Sequence, residues 1–420
     1  MSHPSIPLSV LDLSPISSGS TPADALRHTI DLAQAVERAG YRRYWLAEHH
    51  LNPGVAGASP AVVAAIVAQA TRVIRVGSAA VLLGNYSPLQ VAEQWGTIAA
   101  LHPGRIALGI GRSGIGRSSA ERPGAAATAA DGAVQVWRLV DGVVIPPVRP
   151  PAYDPARLAL QGRLLGRAPG DGFGDDVRDI LAFFDGTYVA PERRPVVVTP
   201  AAGTDVQLWV HGSSAGPSAQ LAGELGLPYG ANYHVAPATL QESVAAYRAA
   251  FRPSERFAQP HVIVSVDVVV GVDDAAAREL AIGYGPWVQS IRGGQGAIPY
   301  PDADEARQIL SGWDEDDHAA VRDRTETQLV GSPQTVVARL AALQRLTGAD
   351  ELLVTTVTHR HEDRVRSYEL LADAWAQGSA EAEPQALPVA GQATAPGRDE
   401  APASVESPST VDLLRVAARS

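Results

Sequence analysis

The chain has 420 residues, of which 45% are hydrophobic and 19% charged, so it is long enough for one large domain and apolar enough to bury a core. It contains no cysteine, which excludes a disulfide framework, a thiolate nucleophile and a cysteine-ligated metal, and which suits the cytoplasm. A formal net charge of -11, no long apolar run and no signal peptide predict a cytoplasmic protein without nucleic-acid or membrane partners.

The first part of the chain alternates strand-like and helix-like segments. Helical segments start with a hydroxyl residue followed by proline at residues 21–22, 59–60 and 87–88, which suits a helix N-cap and first turn. Because the connections contain helices and are too long for hairpins, we predict parallel strands. The predicted strands are 6–12, 43–47, 75–83 and 105–110, and the predicted helices are 22–39, 59–72 and 87–101.

Glycine, proline, alanine and arginine dominate residues 112–172, which predicts a long, partly mobile insertion after the fourth strand. The alternation then resumes, and a second insertion is predicted at about 285–330, between strands seven and eight. The predicted strands of this part are 207–210, 229–232, 262–270 and 351–357. Its predicted helices are 175–184, 218–225, 238–251, 274–284, 333–346 and 361–376.

Eight strand–helix units predict an α/β fold, a TIM-type (β/α)8 barrel that forms a single domain over residues 1–378. An open, doubly wound sheet is the alternative. Residues 379–420 are rich in alanine, proline, serine and glutamate, and we predict a disordered tail there.

Catalytic groups of a (β/α)8 barrel come from the carboxyl ends of its strands, which directs attention to Glu48-His49-His50 after the second strand. Successive strand residues point to opposite faces, so only part of this triplet can enter the mouth of the barrel. A histidine there can act as a general base near neutral pH, or it can merely order the following loop. Other polar candidates at strand ends are Ser14, His211, Asn232 and His234.

Residues 109–114 match the pattern G-x-G-x-x-G after the fourth strand. A dinucleotide-binding fingerprint would open the first βαβ unit and lead into an apolar helix, and this segment does neither. In a barrel, such glycines let the backbone approach a ligand, and Arg112 can bind a phosphate. The alternative is a flexible glycine turn with a solvated arginine.

A second anion-binding element is predicted after the fifth strand, at Ser213 and Ser214. Small residues before a helix expose N–H groups and hydroxyls that suit an anion, and an ordinary serine-capped turn is the alternative. Neighbouring barrel strands would bring these serines and Arg112 to one side of the mouth.

Five segments of the chain carry a family pattern: YWLAEHH (44–50), GSAAVLL (77–83), GRIALGIGR (104–112), LAGELGLP (221–228), and VGSP with GADEL (330–333 and 348–352). Together they resemble the bacterial luciferase-like flavin monooxygenases over about residues 6–110 and 205–375. The likeness is closest to the subgroup that tailors bacterial natural products, which would connect the protein with antibiotic biosynthesis.

The resemblance implies a barrel that binds reduced FMN non-covalently, commonly as a homodimer. The luciferases themselves have cysteine where this chain has Gly111. The residues that the resemblance implies are His49 as catalytic histidine, Ala79 and Ala80 as a non-prolyl cis peptide beneath the flavin, and Arg112, Ser213 and Ser214 around its phosphate.

The chemistry implied is oxygen activation. Reduced flavin reacts with O2 to give a C4a-hydroperoxide, the protein shields it from water, His49 manages protons, and one oxygen atom passes to an organic substrate. A separate flavin reductase would supply the reduced FMN, because no NAD(P)H-binding module is recognisable.

Three other functions are open at this point. The first is an F420-dependent reductase or dehydrogenase that transfers hydride on the same barrel, and the second is a flavin-binding barrel without catalysis. The third is a metal-dependent hydrolase, because His359 and His361 have the spacing of a metal-binding pair, although they also fit the start of the last helix.

Overall fold

The computed structural model describes residues 6–112, 136–149, 155–165, 172–294 and 296–380. Its strands are β1 (Leu8–Asp12), β2 (Arg43–Leu46), β3 (Arg75–Leu82), β4 (Ile106–Gly111), β5 (Arg138–Val140), β6 (Val143–Ile145), β7 (Val206–Gly212), β8 (Tyr229–Asn232), β9 (Val262–Val270), β10 (Leu329–Gly331) and β11 (Glu351–Thr355). Its helices are α1 (Pro22–Arg38), α2 (Pro60–Ala70), α3 (Pro88–Leu101), α4 (Pro155–Leu165), α5 (Phe173–Asp185), α6 (Pro217–Glu224), α7 (Leu240–Ala250), α8 (Asp274–Leu280), α9 (Tyr284–Arg292), α10 (Ala303–Ser311), α11 (Glu315–Thr325), α12 (Pro333–Thr347) and α13 (His361–Ala380).

Eight strands form a closed parallel barrel in the order β1, β2, β3, β4, β7, β8, β9 and β11. The sheet closes because β8 pairs with β9 and β11 pairs with β1, which confirms the (β/α)8 barrel and rejects the open sheet. The short strand β10 pairs with β9 outside this ring, and β5 and β6 form an antiparallel hairpin. Helices connect successive barrel strands, as parallel strands require.

The barrel strands are buried on both faces, because alternate residues point to the surrounding helices and to the interior. At the centre of the interior, the rings of Trp45 and Trp209 pack edge to face with 5.5 Å between centroids. The residues that share this interior cluster with them include Leu11, Ala107, Ile263 and Leu353.

Polar side chains fill the amino end of the barrel. Arg43 of β2 forms an ion pair with Glu351 of β11, and both side chains are almost completely buried. Ser9 of β1 donates a hydrogen bond to the same carboxylate, and Arg43 Nη2 donates to Gln207 of β7 at 3.2 Å. These contacts join four strands at the amino end of the barrel.

Two of the three predicted hydroxyl–proline helix starts are capped as expected. In α1, Thr21 and Asp24 form a capping box, in which each side chain accepts from the other residue's backbone N–H. Ser87 and Gln90 form the same arrangement in α3. Ser59 makes no side-chain cap hydrogen bond, although α2 begins at Pro60 as predicted.

One prediction about the second half of the barrel needs correction. The single helix predicted at 274–284 is wrong, because α8 ends at Leu280 and α9 begins at Tyr284. The region predicted as the second insertion, at about 285–330, lies between β9 and β11 and carries most of α9, all of α10 and α11, and most of β10, and it packs on the barrel interior through Trp287 and Val321.

The first predicted insertion contains regular structure that the sequence did not indicate, namely the β5–β6 hairpin and α4. The interpretations of residues 113–135, 150–154 and 166–171, and of the tail from residue 381 onward, lie outside the described residues. Among the described helices, none combines the length and the apolar character that crossing a membrane requires.

Candidate active site

The carboxyl ends of β4 and β7 bring the predicted anion-binding residues together. In the register of these two strands, Gly111 pairs with His211. Arg112 follows one strand, and Ser213 and Ser214 follow the other, so all three leave the same end of the barrel side by side.

The turn after β7 presents polar groups toward the start of α6. Thr239 Oγ1 donates to the Ser213 carbonyl at 2.6 Å, which fixes the turn. The helix begins at Pro217 without a side-chain cap. On the neighbouring strand, the Arg112 guanidinium lies 6.0 Å from the ring centroid of Phe173. A guanidinium and an uncapped helix start are both suited to an anion.

The residues Glu48, His49 and His50 after β2 lie in two different environments, as predicted: Glu48 and His50 contact each other, and His49 lies apart from them. Glu48 is buried, accepts from the Leu82 N–H at 3.0 Å and from the Asn85 amide at 2.9 Å, and lies 2.7 Å from His50 Nε2. His49 does not join this group, and its Nδ1 is buried without a partner among the described residues. Burial, with a smaller effect of His50, lowers the pKa of His49 to about 4. The His49 ring is therefore neutral near pH 7.

The wall between β3 and β4 is built of small residues. The register of the two strands shifts between Ser78 and Val81, and the peptide bond between Ala79 and Ala80 is cis, as the resemblance implied. A Cβ at Gly111 would lie 3.2 Å from the Cβ of Ala80. The backbone of β4 is therefore close to this bulge, and no large side chain stands between them.

His211 is enclosed by the backbones of its two neighbouring strands. A Cβ at Gly109 would lie 2.7 Å from His211 Nε2, and a Cβ at Gly230 would lie 2.1 Å from Nδ1, so only glycine fits at either position. Trp45 packs against the ring edge to face, with 5.5 Å between centroids. Burial lowers the pKa of His211 to about 4, and its Nε2 has no partner among the described residues.

His234 follows β8 and is held by β9. Its backbone N–H donates to the Ser265 carbonyl at 3.1 Å, and its Nδ1 lies 2.6 Å from Ser265 Oγ. Burial lowers the pKa of His234 to about 3, and Arg324, His49 and His211 contribute in that order. Groups from three other parts of the chain, His49 after β2, His211 of β7 and Arg324 of α11, therefore influence His234.

A buried polar network joins β9 to α9 and α11. Tyr284 donates to the Asp267 carboxylate. Arg324 Nη2 lies 3.3 Å from that carboxylate and 3.0 Å from the Tyr284 oxygen. Burial raises the pKa of Asp267, and Arg324 partly offsets this effect. Sequence reasoning missed this network, because the three residues come from segments that carry no shared local motif.

His359 and His361 bind separate partners. His359 Nε2 lies 3.2 Å from Ser18 Oγ, whereas His361 Nε2 lies 2.7 Å from Asp31 Oδ2 and its ring stacks on His28. Within the described ranges, no group of three or more His, Asp or Glu side chains is arranged to hold a metal ion.

Comparison with known proteins decides the family. The profile described as luciferase-like monooxygenase matches residues 6–131 and 178–351, which is more than half of the chain. The chain belongs to the luciferase-like monooxygenase family. Members of this family are oxidoreductases, and the barrel described above agrees with that assignment.

Several relatives of this luciferase-like protein are similar over most or part of its length. The luciferase-like monooxygenase of Escherichia coli strain K12 is 33% identical over 374 residues, which are 89% of this chain and 98% of that protein. The crystal structure of apo-MsnO8 has a TM-score of 0.71 at 32% identity and covers 88% of this chain and 98% of the other. The N-acetyl-S-alkylcysteine monooxygenase of Bacillus subtilis strain 168 is 50% identical over 108 residues, 26% of this chain and 32% of that protein.

Two more distant structures share the fold alone. One is the oxygenating constituent of 3,6-diketocamphane monooxygenase from Pseudomonas putida in complex with FMN, with a TM-score of 0.57 at 18% identity, covering 89% of this chain and 97% of the other. The other is an F420-dependent secondary alcohol dehydrogenase with an F420–acetone adduct, with a TM-score of 0.54 at 14% identity, covering 88% and 99%.

Proposed function

We propose that this family member is a flavin-dependent monooxygenase that uses reduced FMN and O2 to insert one oxygen atom into an organic substrate. One observation carries the proposal. The turns after β4 and β7 lie at the same end of the barrel as the small-residue bulge of β3. One side of the mouth therefore combines a surface of small residues with the positive charge of Arg112.

The residues at this wall fit FMN in shape and in charge. Ala79, Ala80 and Gly111 leave a surface without large side chains, which suits a planar ring system. Arg112 and the turn of Ser213 would hold the phosphate, because a guanidinium and an uncapped helix start are both anion-binding groups.

Bound reduced FMN would supply the electrons that activate O2. The protein's own contribution is to handle protons and to exclude water. His49, which burial keeps neutral at pH 7, can accept a proton at one ring nitrogen or donate one from the other. Trp45 and Trp209 pack against each other and are fully buried in the barrel interior, so they would close the floor of the site against bulk water.

The reduced cofactor would come from a separate flavin reductase. The first strand is followed by Ser14-Pro15 instead of a glycine-rich phosphate loop, so the chain lacks the usual opening of a dinucleotide-binding unit. The homodimer and the role in natural-product tailoring that the resemblance implied belong to the same proposal.

F420 is the alternative cofactor, because an F420-dependent alcohol dehydrogenase shares the fold. Titration of the protein with FMN, reduced FMN and reduced F420, with oxygen uptake recorded, separates the two. We expect saturable binding of reduced FMN and oxygen uptake that depends on it. Selective binding of reduced F420 without oxygen uptake would favour hydride transfer, and binding of neither cofactor would contradict both functions.

The phosphate contact can be tested with a matched pair of ligands. Arg112→Ala removes the guanidinium beside the turn after β7, so we expect FMN affinity to fall by about tenfold or more. Riboflavin lacks the phosphate and is the control, so its affinity should change little. Equal losses for FMN and riboflavin would place the effect elsewhere in the site.

The role of His49 is tested by His49→Ala and His49→Gln. Because neither residue can exchange a proton, both variants should keep FMN affinity and lose most oxygen transfer, by about a hundredfold or more. The measurement is single-turnover oxidation of reduced FMN together with product yield. Full turnover in either variant would remove His49 from the mechanism.

A further inference from the structure

Arg324 has hydrogen-bonding capacity that the surrounding protein does not use. Its Nη2 is engaged by Asp267 and Tyr284. Its Nε is buried without a partner, and no acceptor among the described residues bonds to Nη1. Buried donors of a charged group normally find acceptors, so the buried, unpartnered Nε points to an acceptor from outside the described residues.

The protein supplies no second carboxylate to this guanidinium. Asp323, the residue before Arg324, is occupied by Arg292, whose nitrogens approach the two carboxylate oxygens at 2.6 and 2.7 Å. Asp267 shares its oxygen Oδ2 between Arg324 and Tyr284. An oxygen acceptor from outside the described protein would therefore complete the environment of Arg324.

His234 presents a second donor to the same side of the mouth. The 2.6 Å separation between Nδ1 and Ser265 Oγ is the distance of a hydroxyl donor, shorter than an ordinary N–H···O contact. The other acceptors near Ser265 Oγ are more distant, at 3.3 Å for the Ala231 carbonyl and 3.4 Å for Asn232 Oδ1. Nδ1 is thus the nearest acceptor for the Ser265 hydroxyl, and in the tautomer that accepts this proton the neutral ring carries its own proton on Nε2.

The two donors are neighbours. His234 is held by Ser265 and Arg324 by Asp267, and these two residues of β9 are two positions apart and therefore on the same face of the strand. The lowered pKa of His234, to which the Arg324 charge contributes after burial, agrees with this placement. The nearest opposing charge is Asp267 on β9, and that carboxylate is turned to Tyr284 and Arg324.

We propose that Arg324 and the Nε2–H group of His234 form a carboxylate-binding site at the mouth of the barrel, so that the substrates are organic acids. The site rests on the proposed function, because it assumes that the mouth is where substrate binds. It is separate from the phosphate site, since it is built on β8, β9 and α11 instead of the turns after β4 and β7.

Binding of matched acids and amides to the intact protein tests the site. The probes are benzoate, phenylacetate and N-acetyl-S-benzylcysteine, each compared with its carboxamide, which has the same shape without the charge. Calorimetric titration is carried out with and without saturating FMN. We expect at least one acid to bind about tenfold or more tightly than its amide.

Two variants identify the residues. Arg324→Met and His234→Phe each remove one donor, and each should abolish most of the preference for the acid while FMN affinity is kept. Because Arg324→Met leaves Asp267 without its cation, the double variant Arg324→Met/Asp267→Asn restores neutrality and should show the same loss of preference. Arg322→Met, an exposed arginine of the same helix, is the matched control and should bind the probes as the original protein does.

The outcomes separate this site from the cofactor proposal. No acid binding, equal binding of acids and amides, or a preference that survives both single variants would overturn the carboxylate site. A weaker affinity for FMN but not for riboflavin in Arg324→Met would also overturn it, because Arg324 would then serve the cofactor phosphate. Acid preference without FMN binding would keep the carboxylate site and reject the flavin function.

Discussion

Three imidazoles at the barrel mouth are neutral in the folded protein. The pKa values of His49 and His211 are lowered to about 4, and that of His234 to about 3, chiefly because burial disfavours the charged ring. This arrangement gives the site rings that can donate and accept hydrogen bonds at neutral pH without carrying charge. Because the three imidazoles are uncharged at neutral pH, Arg324 is the positively charged member of this group of four side chains. Its charge is consistent with an anionic substrate at Arg324.

Acidification should destabilise the fold through these rings. Their folded pKa values lie below the ordinary 6.5, so the unfolded chain binds more protons, and the stability present above about pH 6.5 is lost as the pH falls toward 4. His211→Gln removes one such group, so its free energy of unfolding should fall less between about pH 7 and about pH 5 than that of the original protein. Denaturant titrations at both pH values measure this, with exposed His318→Gln as the control. Parallel pH profiles for all three proteins would contradict the assignment.

Sequence reasoning located single residues better than it located networks. The location of His49, Arg112 and the serines after β7 at one end of the barrel could be predicted, because each lies shortly after an apolar strand. Their roles stay predictions. Arg324 could not be found in this way. Its contacts depend on the packing of α11 against β9, and 57 positions separate it from Asp267.

Glycines decide how closely the strands of the site approach each other. At Gly109 of β4, a Cβ would lie 2.1 Å from the Ser78 carbonyl oxygen and 2.7 Å from His211 Nε2. The same strand end carries Gly111 and Arg112, so the glycine pattern that resembles a nucleotide fingerprint instead serves the packing of a barrel mouth.

Gly109→Ala should therefore be destabilising. The added methyl group must displace the β3 backbone or the His211 ring, and overpacking of this kind costs about 1–3 kcal/mol. Urea unfolding of the variant and of the original protein measures the loss. Gly172→Ala is the control, because nothing lies within 4 Å of a Cβ at that position. Equal stability of the two variants would show that β4 can shift without cost.

Helices and strands with local signals were predicted to within a few residues, and the others were not. Thr21 and Ser87 mark their helix starts because the caps are made within four consecutive residues. The break between α8 and α9 has no side-chain cap, and the prediction of one helix gave too little weight to Gly283, Gly285 and Pro286, which mark the start of α9. The three-residue strands β5, β6 and β10 are too short for their pattern to be distinct.

At the scale of the whole barrel, the buried ion pair that stabilises the fold and the candidate functional residues lie at opposite ends. The amino end is closed by the buried pair of Arg43 and Glu351, whereas the carboxyl end carries the histidines, the bulge of β3 and the turns predicted to bind an anion. Eight parallel units could be counted from the sequence, because hydrophobic periodicity and helical connections repeat along the chain. The closure of the ring could not be read in the same way, since the pairing of β11 with β1 joins opposite ends of the barrel sequence.

Arg43→Met tests this division of the molecule. It leaves the fully buried carboxylate of Glu351 without its cation, which should lower the free energy of unfolding by about 3–5 kcal/mol. FMN affinity of the folded protein should be unchanged, because the pair lies at the end opposite the turns after β4 and β7, which we propose bind the phosphate. Arg42→Met is the matched control, since Arg42 lies 4.0 Å from the same carboxylate but its side chain is 55% exposed, and its loss should alter stability little. Chemical denaturation and FMN titration of both variants measure these effects, and a loss of FMN affinity in folded Arg43→Met would show that the two ends are coupled.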